Sequence, residues 1–253
     1  SRAKKVAKIV DKVACIFPFE YDVYKEAGAH VEFVGHPLVD IVKPSMTTEE
    51  ARVFAGKEEG KKLILLMPGS RLMEIEKMLP TLLEAAKIIK KQLPEVSFVM
   101  PRAGTIPISL LEEKIQASGL DVKITEGNNY DLFSVADLAL ATSGTVTLEA
   151  ALCGLGSVIV YKTNPVTYFI AKLLVNIPHI GLPNIVAAKS VVPELIQNDF
   201  TPTKVAQEAL ALLESERNAK MKEDLAYVKE RLGKPGAVGR VAELVLKIAR
   251  EKR

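Results

Sequence analysis

Two short loop motifs carry the residue types that bind phosphate. The first is Pro-Gly-Ser-Arg at residues 68–71, directly after the apolar run 63–67. Apolar residues then recur with helical spacing as far as Ile89, so the backbone N–H groups after Gly69 are expected to lie at the start of a helix. Their partial positive charge, with the guanidinium of Arg71, suits a phosphate. The alternative is an ordinary strand-to-helix turn with a solvated arginine.

The second motif is Thr-Ser-Gly-Thr at residues 142–145. It follows an apolar run, 136–141, that is expected to be a buried strand, and it leads into a helix at 146–152. Hydroxyl groups and backbone N–H groups therefore meet again at the start of a helix. Glu149 lies one turn further along, where its carboxylate could reach the paired hydroxyls of a ribose; helix capping is the alternative. Together the two motifs predict a cradle for a nucleoside diphosphate.

The elements that would position these motifs alternate along the chain. Strand-like and helical runs follow one another from about residue 13 to residue 181, which predicts an α/β fold with Rossmann-like parallel sheets and flanking helices. Strands are expected near residues 13–17, 31–34, 63–67, 96–100, 121–124, 137–141 and 157–161. Residues 35–44 are interpreted as a hinge. The predicted domains are 1–43, 44–214 and 215–253.

The ordered set of motifs along the chain resembles the lipid-A-disaccharide synthase family. Besides the two phosphate motifs, the matching segments are Phe-Pro-Phe-Glu (17–20), Val-Gly-His-Pro-Leu-Val-Asp (34–40), Glu74-Ile75-Glu76, Tyr161-Lys162 and Leu-Pro-Asn-Ile-Val-Ala (182–187). They cover nearly the whole chain. The resemblance implies an inverting glycosyltransferase of the GT-B type. It would join UDP-2,3-diacylglucosamine to 2,3-diacylglucosamine 1-phosphate and release UDP.

The motifs and the resemblance together indicate a set of substrate-binding residues. They are Gly69, Ser70, Arg71, Tyr130, Ser143, Gly144, Thr145, Glu149, Asn184, Glu194 and Gln197. Arg71 would stabilise the departing diphosphate. The segment 126–130 would meet uracil, with an ordinary polar turn as the alternative. For Asn184, Glu194 and Gln197 the alternative is helix capping.

The region before the hinge holds only about two strands, too few for a complete Rossmann domain. We therefore expect the family's N-terminal domain, with its acceptor pocket and the aspartate proposed as general base, to be largely absent from this chain. Were the base within the chain, His36 and Glu74 would be the first candidates, although His36 also fits a hinge histidine bonded to backbone. A UDP-sugar-binding module without turnover is thus an alternative to an enzyme. A related UDP-GlcNAc epimerase or peptidoglycan-precursor glucosaminyltransferase is another.

Composition adds few constraints. The chain has 253 residues, of which 48% are hydrophobic and 26% charged, and its net charge of +3 does not argue for nucleic-acid binding. Cys15 and Cys153 are expected to be core residues in a reducing cytoplasm. The sequence has no Asp-x-Asp triplet and no zinc-type spacing of Cys and His, so neither a metal nor a cofactor is expected.

Contact with a membrane is expected to be peripheral. The sequence has no apolar run of the ~20 residues that a membrane span needs, and we expect no signal segment. The basic segment 1–8 and the amphipathic segment 164–174 could contact lipid, with a solvated helix and core packing as the respective alternatives. The resemblance implies a peripheral enzyme at the inner, cytoplasmic face of the cytoplasmic membrane. A homodimer is a further assembly that the resemblance allows.

Overall fold

The computed structural model describes residues 2–164 and 178–251. Most of the amphipathic segment 164–174 therefore lies outside the described residues. Contacts within the chain divide it into two units, Ser1–Val42 with Tyr227–Arg253 and Lys43–Ala226. The predicted segment 215–253 is thus shared between the two units, and the functional domain boundaries stay a prediction.

The first unit contains a pair of short parallel strands. Its elements are α1 (Arg2–Ile9), β1 (Val13–Cys15), α2 (Pro18–Glu26), β2 (Val31–Phe33), α3 (Leu38–Ile41) and, near the end of the chain, α12 (Ala237–Glu251). Strands β1 and β2 pair in register, Val13 with Val31 and Cys15 with Phe33. Directly before α12, the N–H of Gly236 donates to Oδ1 of Asp40 at 2.8 Å. This contact ties the two chain segments of the unit together.

The second unit holds the larger sheet and the helices between its strands. In chain order its elements are α4 (Thr48–Ala55), β3 (Leu63–Met67), α5 (Leu72–Gln92), β4 (Ser97–Arg102), α6 (Ile108–Ser118), β5 (Lys123–Glu126), α7 (Asn129–Val135), β6 (Leu138–Thr142), α8 (Thr145–Leu152), β7 (Ser157–Tyr161), α9 (Leu182–Ala187), β8 (Glu194–Ile196), a 3-10 turn (Gln197–Asp199) and α10 (Pro202–Leu213). Helix α11 (Ser215–Arg231) begins in this unit and ends in the first. The alternation of strand and helix is that of a Rossmann-like fold.

The larger sheet has six parallel strands in the order β5-β4-β3-β6-β7-β8. The chain builds outward from β3 in one direction and from β6 in the other. Right-handed crossovers therefore leave these two central strands towards opposite faces of the sheet. In sheets of this kind, ligands bind in the crevice at the carboxyl ends of such a strand pair. Both predicted phosphate motifs lie at these two strand ends.

The central strands form because each is a short, unbroken apolar run. All five residues of β3 and of β6 are buried, as expected for a parallel sheet covered on both faces. Before β6, Oδ2 of Asp137 accepts the N–H of Leu63 at 2.8 Å and pairs with Nζ of Lys57 at 2.7 Å. Burial alone would raise the pKa of Asp137, but these hydrogen bonds and the charge of Lys57 lower it. The carboxylate therefore clamps the two site-bearing strands together.

The predicted α/β fold with a parallel sheet is confirmed. The five strands predicted for the larger sheet are all present, with β4, β5 and β6 displaced by one or two residues from the predicted ranges. The sixth strand, β8, was not predicted. It has three residues, Glu194–Ile196, and a segment that short cannot show the alternation that identifies a strand.

Candidate functional site

Two loops meet at the carboxyl edge of the larger sheet. We call residues 68–71, between β3 and α5, the first loop, and residues 143–144, between β6 and α8, the second loop. Met67 pairs with Ala141 in the sheet, so the two loops lie side by side. Both contribute to one cavity of about 350 Å³, which we call the loop cavity. Its volume falls in the range of small-molecule sites.

The loop cavity brings six of the predicted residues together. They are Gly69, Ser70, Arg71, Ser143, Gly144 and Thr145. Arg71 is the N-cap of α5, in an extended conformation directly before the first helical turn. Its side chain is 79% exposed. The guanidinium is therefore accessible to a ligand from solvent.

Glu74 occupies the position that the sequence predicts for a phosphate at the first loop. Its Oε2 accepts the N–H groups of Ser70 at 2.8 Å and of Arg71 at 3.2 Å, and its Oε1 pairs with Nη1 of Arg71 at 2.7 Å. Glu74 is the third residue of α5, where a capping-box glutamate is expected. Two of the backbone donors predicted to hold a phosphate after Gly69, the N–H groups of Ser70 and Arg71, are therefore already bonded to a carboxylate.

Gly69 makes room for the Glu74 carboxylate. Its φ of +121° is unfavourable for other residue types. A Cβ atom at this position would lie 2.4 Å from Oε2 and 2.6 Å from Cβ of Glu74. On the other side of the loop, Oγ1 of Thr105 donates to the carbonyl of Ser70 at 2.7 Å. Contacts on both sides thus support the first loop.

The second loop presents backbone donors at the start of α8. The N–H of Ser143 donates to the carbonyl of Val160 at 3.1 Å, and its hydroxyl donates to the carbonyl of Ile180 at 3.0 Å. Among residues 2–164 and 178–251 we find no acceptor for the next three N–H groups, those of Gly144, Thr145 and Val146. Such groups carry the partial positive charge that attracts an anion to a helix N-terminus.

A second cavity shares Asn129 with the loop cavity, and we call it the neighbouring cavity. Its volume is about 390 Å³, and its lining includes Tyr130, Glu149 and residues 127–128. Burial raises the pKa of Glu149. Burial, and then the charges of Glu149 and Cys153, raise the pKa of Tyr130. The residues predicted for ribose and uracil thus lie beside those predicted for phosphate.

Helix capping does not account for Glu149. It is the fifth residue of α8, whereas a capping box uses the third. That third position is Thr147, whose Oγ1 donates to the carbonyl of Gly144 at 2.8 Å. Within the part of the chain that the structure describes, the Glu149 carboxylate has no hydrogen-bond partner. This half-buried acceptor is available to the hydroxyls of a ligand.

Asp131 is a site residue that the sequence motifs do not reveal. It is buried, and its Oδ1 accepts the N–H groups of Ser45 at 2.6 Å and of Met46 at 2.7 Å. Its Oδ2 accepts the hydroxyl of Ser45 at 3.0 Å. Asp131 and Ser45 both line the neighbouring cavity. The carboxylate therefore fixes one wall of that cavity, a role that a lone aspartate in a short helix does not indicate.

Asn184, Glu194 and Gln197 line neither of the two cavities. Asn184 is fully buried, and its Nδ2 donates to Oε1 of Glu194 at 2.6 Å. Glu194 also accepts the N–H groups of residues 180–181 at 2.8 and 3.0 Å. Gln197 accepts the N–H of Thr163 at 2.7 Å. These contacts support backbone segments, and a part for the three residues in substrate binding stays a prediction.

His36 and Arg102 also bind the protein itself. In the first unit, Nδ1 of His36 accepts the N–H of Leu38 at 3.1 Å, and burial lowers the pKa of His36. The histidine is thus bonded to backbone, while a hinge at residues 35–44 stays a prediction. Arg102 donates to the carbonyl of Ile106 at 2.6 Å and pairs with Glu126. Within the described ranges, no cluster of three or more His, Cys, Asp or Glu side chains suits a metal ion. No described helix combines the length and the apolar character needed to span a membrane.

Comparison with known proteins identifies the relatives of the chain. The family model described as lipid-A-disaccharide synthetase matches residues 1–247. A lipid-A-disaccharide synthase from Geobacter sulfurreducens is 43% identical over 248 residues, which make up 98% of this chain and 65% of that relative. The chain therefore spans 65% of the length of this curated relative.

Solved structures share the fold at low sequence identity. A UDP-GlcNAc 2-epimerase from Neisseria meningitidis bound to UDP-GlcNAc matches with a TM-score of 0.64 at 15% identity, covering 95% of this chain and 62% of the other. WaaG, a glycosyltransferase involved in lipopolysaccharide biosynthesis, matches with a TM-score of 0.55 at 15% identity, covering 87% and 58%. These likenesses concern the fold alone, which is of the GT-B type.

Proposed function

Since this chain belongs to the lipid-A-disaccharide synthetase family, we propose that it provides the donor-binding part of a glycosyltransferase of lipid A biosynthesis. The reaction would transfer 2,3-diacylglucosamine from its UDP donor to 2,3-diacylglucosamine 1-phosphate, forming the lipid A disaccharide and UDP. The observation that carries the proposal is the pair of cavities that share Asn129. The carboxylate of Glu149 in one, which has no hydrogen-bond partner among the described residues, and the cationic and N–H groups in the other fit the two halves of a nucleoside diphosphate.

UDP would span the two cavities. Its uridine would lie in the neighbouring cavity, where the carboxylate of Glu149 can accept hydrogen bonds from both ribose hydroxyls. Its diphosphate would lie in the loop cavity, facing Arg71 and the N–H groups at the start of α8. Tyr130 lines the uridine side and would pack against the nucleoside.

The chemistry that this chain supplies is stabilisation of the leaving group. As the bond between the sugar and the β-phosphate breaks, negative charge builds on the departing diphosphate. Arg71 and the N–H groups of the second loop would stabilise that charge, because the fold already holds them in position and no solvent has to reorganise. Glu74 competes with the diphosphate for Arg71, because the two anions would share one guanidinium. The base that deprotonates the acceptor hydroxyl would come from the part of the family's sequence that this chain does not span.

The acylated substrates would place the reaction at a lipid surface, so we also propose a peripheral position at the inner face of the cytoplasmic membrane. Helix α1 supports this, because it carries four basic residues and has no buried residue. They are Arg2, Lys4, Lys5 and Lys8. Such a helix suits an anionic membrane surface. Ile9, 80% exposed at its end, adds an apolar group.

A second candidate is a UDP-sugar-binding unit without turnover of its own, which the 65% coverage favours. The test compares this chain with a protein of the full length of its relatives at equal UDP saturation, following disaccharide formation. We expect UDP binding in both and transfer only in the longer protein. Turnover by this chain at the longer protein's rate would show that the base lies within it. His36 and Glu74 would then be substituted first.

A further inference from the structure

Thr142, a residue that lines the loop cavity, carries a buried hydroxyl. Thr142 is the last residue of β6, directly before the second loop, and it is 4% exposed. It lines the loop cavity together with Arg71 and Gly144. Its Oγ1 has no hydrogen-bond partner among the residues that the structure describes. Buried side-chain hydroxyls are rarely left in this state, because they have lost water and gained nothing in return.

The neighbouring hydroxyls behave differently. Oγ of Ser143 donates to the carbonyl of Ile180, and Oγ1 of Thr147 donates to the carbonyl of Gly144. Both hydroxyl groups therefore donate to backbone carbonyls. Of the four hydroxyls that border the start of α8 in the described structure, those of Thr142 and Thr145 donate to no protein acceptor, and of these two only Thr142 is buried.

We propose that Thr142 is a further ligand-binding residue, whose hydroxyl donates a hydrogen bond to a phosphoryl oxygen of the nucleoside diphosphate. The inference rests on the proposed function of the same cavity. Thr142 lines that cavity with the guanidinium of Arg71 and with the N–H groups of the second loop, which select an anion. A phosphoryl oxygen there would accept the hydrogen bond for which the described residues offer no acceptor.

The chain provides a matched control for this assignment. Thr125 lies in β5, is 5% exposed, and its Oγ1 likewise lacks a hydrogen-bond partner among the described residues. Thr125 lines neither the loop cavity nor the neighbouring cavity. A change from threonine to valine replaces a hydroxyl by a methyl group of similar size at either position. The two variants therefore lose the same kind of buried hydroxyl, one at the site and one away from it.

The experiment measures thermal unfolding without ligand and calorimetric binding of UDP and inorganic pyrophosphate. Thr142→Val and Thr125→Val should each raise the melting temperature, by about 2–4 °C, because each removes an unsatisfied buried hydroxyl. Thr142→Val should weaken binding of both ligands by about tenfold. Thr125→Val should leave both affinities unchanged. Thr142→Ser, which keeps the hydroxyl, should bind within about twofold of the unmodified chain.

Unchanged UDP affinity in Thr142→Val would overturn the role of Thr142 and leave the proposed function standing. An equal loss of affinity in Thr125→Val, or a tenfold loss in Thr142→Ser, would also overturn it, since neither change removes a phosphate contact. Failure of the unmodified chain to bind UDP or pyrophosphate would overturn the proposed function and this inference together.

Discussion

Glu74 and Arg71 form an ion pair at the N-terminus of α5, with Oε1 of Glu74 2.7 Å from Nη1 of Arg71. The other carboxylate oxygen accepts the backbone N–H groups of Ser70 and Arg71. The first loop therefore carries an anion of the chain itself, the carboxylate of Glu74. A bound diphosphate would depend on the second loop, on the donors of Arg71 that Glu74 does not use and on the N–H groups of Leu72 and Met73 at the start of α5.

Glu74→Gln should tighten UDP binding. The amide oxygen of glutamine can still accept the N–H groups of the first loop, while the negative charge that competes for Arg71 is gone. We expect an increase in affinity of about three- to tenfold, largest at low ionic strength because partly exposed charges are screened by salt. Calorimetric titration at two salt concentrations measures both effects. Weaker binding in Glu74→Gln would instead show that the carboxylate is needed to orient Arg71.

Arg71→Ala should weaken UDP binding by about 1.5–3 kcal/mol, roughly 10- to 150-fold, because it removes a charge-assisted contact to phosphate. Pyrophosphate binding should weaken equally. Arg52→Ala on α4 serves as the control, since Arg52 is exposed and lines neither cavity. The same loss in Arg52→Ala would mean that general charge, and not a specific contact, drives binding.

Glu149→Gln should separate ribose recognition from phosphate recognition. UDP affinity should fall, while pyrophosphate affinity should stay almost unchanged, because Glu149 lines only the neighbouring cavity. The variant should also melt at a higher temperature at pH 7. The reason is that burial raises the pKa of Glu149 in the folded chain. At pH values above the ordinary pKa of 4.5, the charged carboxylate therefore destabilises the folded state. Equal losses for both ligands would contradict a ribose contact.

Asp137→Asn should destabilise the fold and leave UDP binding intact. It breaks the ion pair with Lys57 and weakens the bond to the N–H of Leu63, which should cost about 1–3 kcal/mol at pH 7. The pKa of Asp137 is lowered in the folded state. Its carboxylate therefore stabilises the fold at pH values above the ordinary pKa of 3.8, and this stabilisation is lost as the pH falls through the lowered pKa. The difference in melting temperature between Asp137→Asn and the unmodified chain should therefore become smaller below pH 3.8. A difference in melting temperature that does not change with pH would contradict a stabilising role of the charged Asp137 carboxylate.

The sheet and both loops could be predicted because their signals are local. The run Leu63–Met67 is apolar without a break, and the motif after it changes composition sharply at Pro68 and Gly69. Strand β8 could not be predicted, because three residues are too few to show a periodic pattern, and its pairing with β7, Ile159 with Glu194, joins segments that lie far apart in the sequence.

The state of the first loop could not be predicted from its motif alone. A glutamate three residues after the N-cap is a capping-box signal, but the N-cap here is Arg71 and not serine or threonine. Whether the carboxylate turns back onto the loop depends on the φ angle of Gly69 and the space beside it. Likewise, the fully buried amide of Asn184 and its bond to Glu194 follow from tertiary packing, which sequence spacing does not encode.

The most direct test of the account is a calorimetric titration of this chain with UDP in the presence of a chelator. Arg71 and the N–H groups at the start of α8 supply the positive potential, so binding should occur with one site per chain and should not change when magnesium is added. No binding in chelator, with binding restored by magnesium, would contradict a metal-free phosphate site. No binding under either condition would contradict the donor-binding role itself.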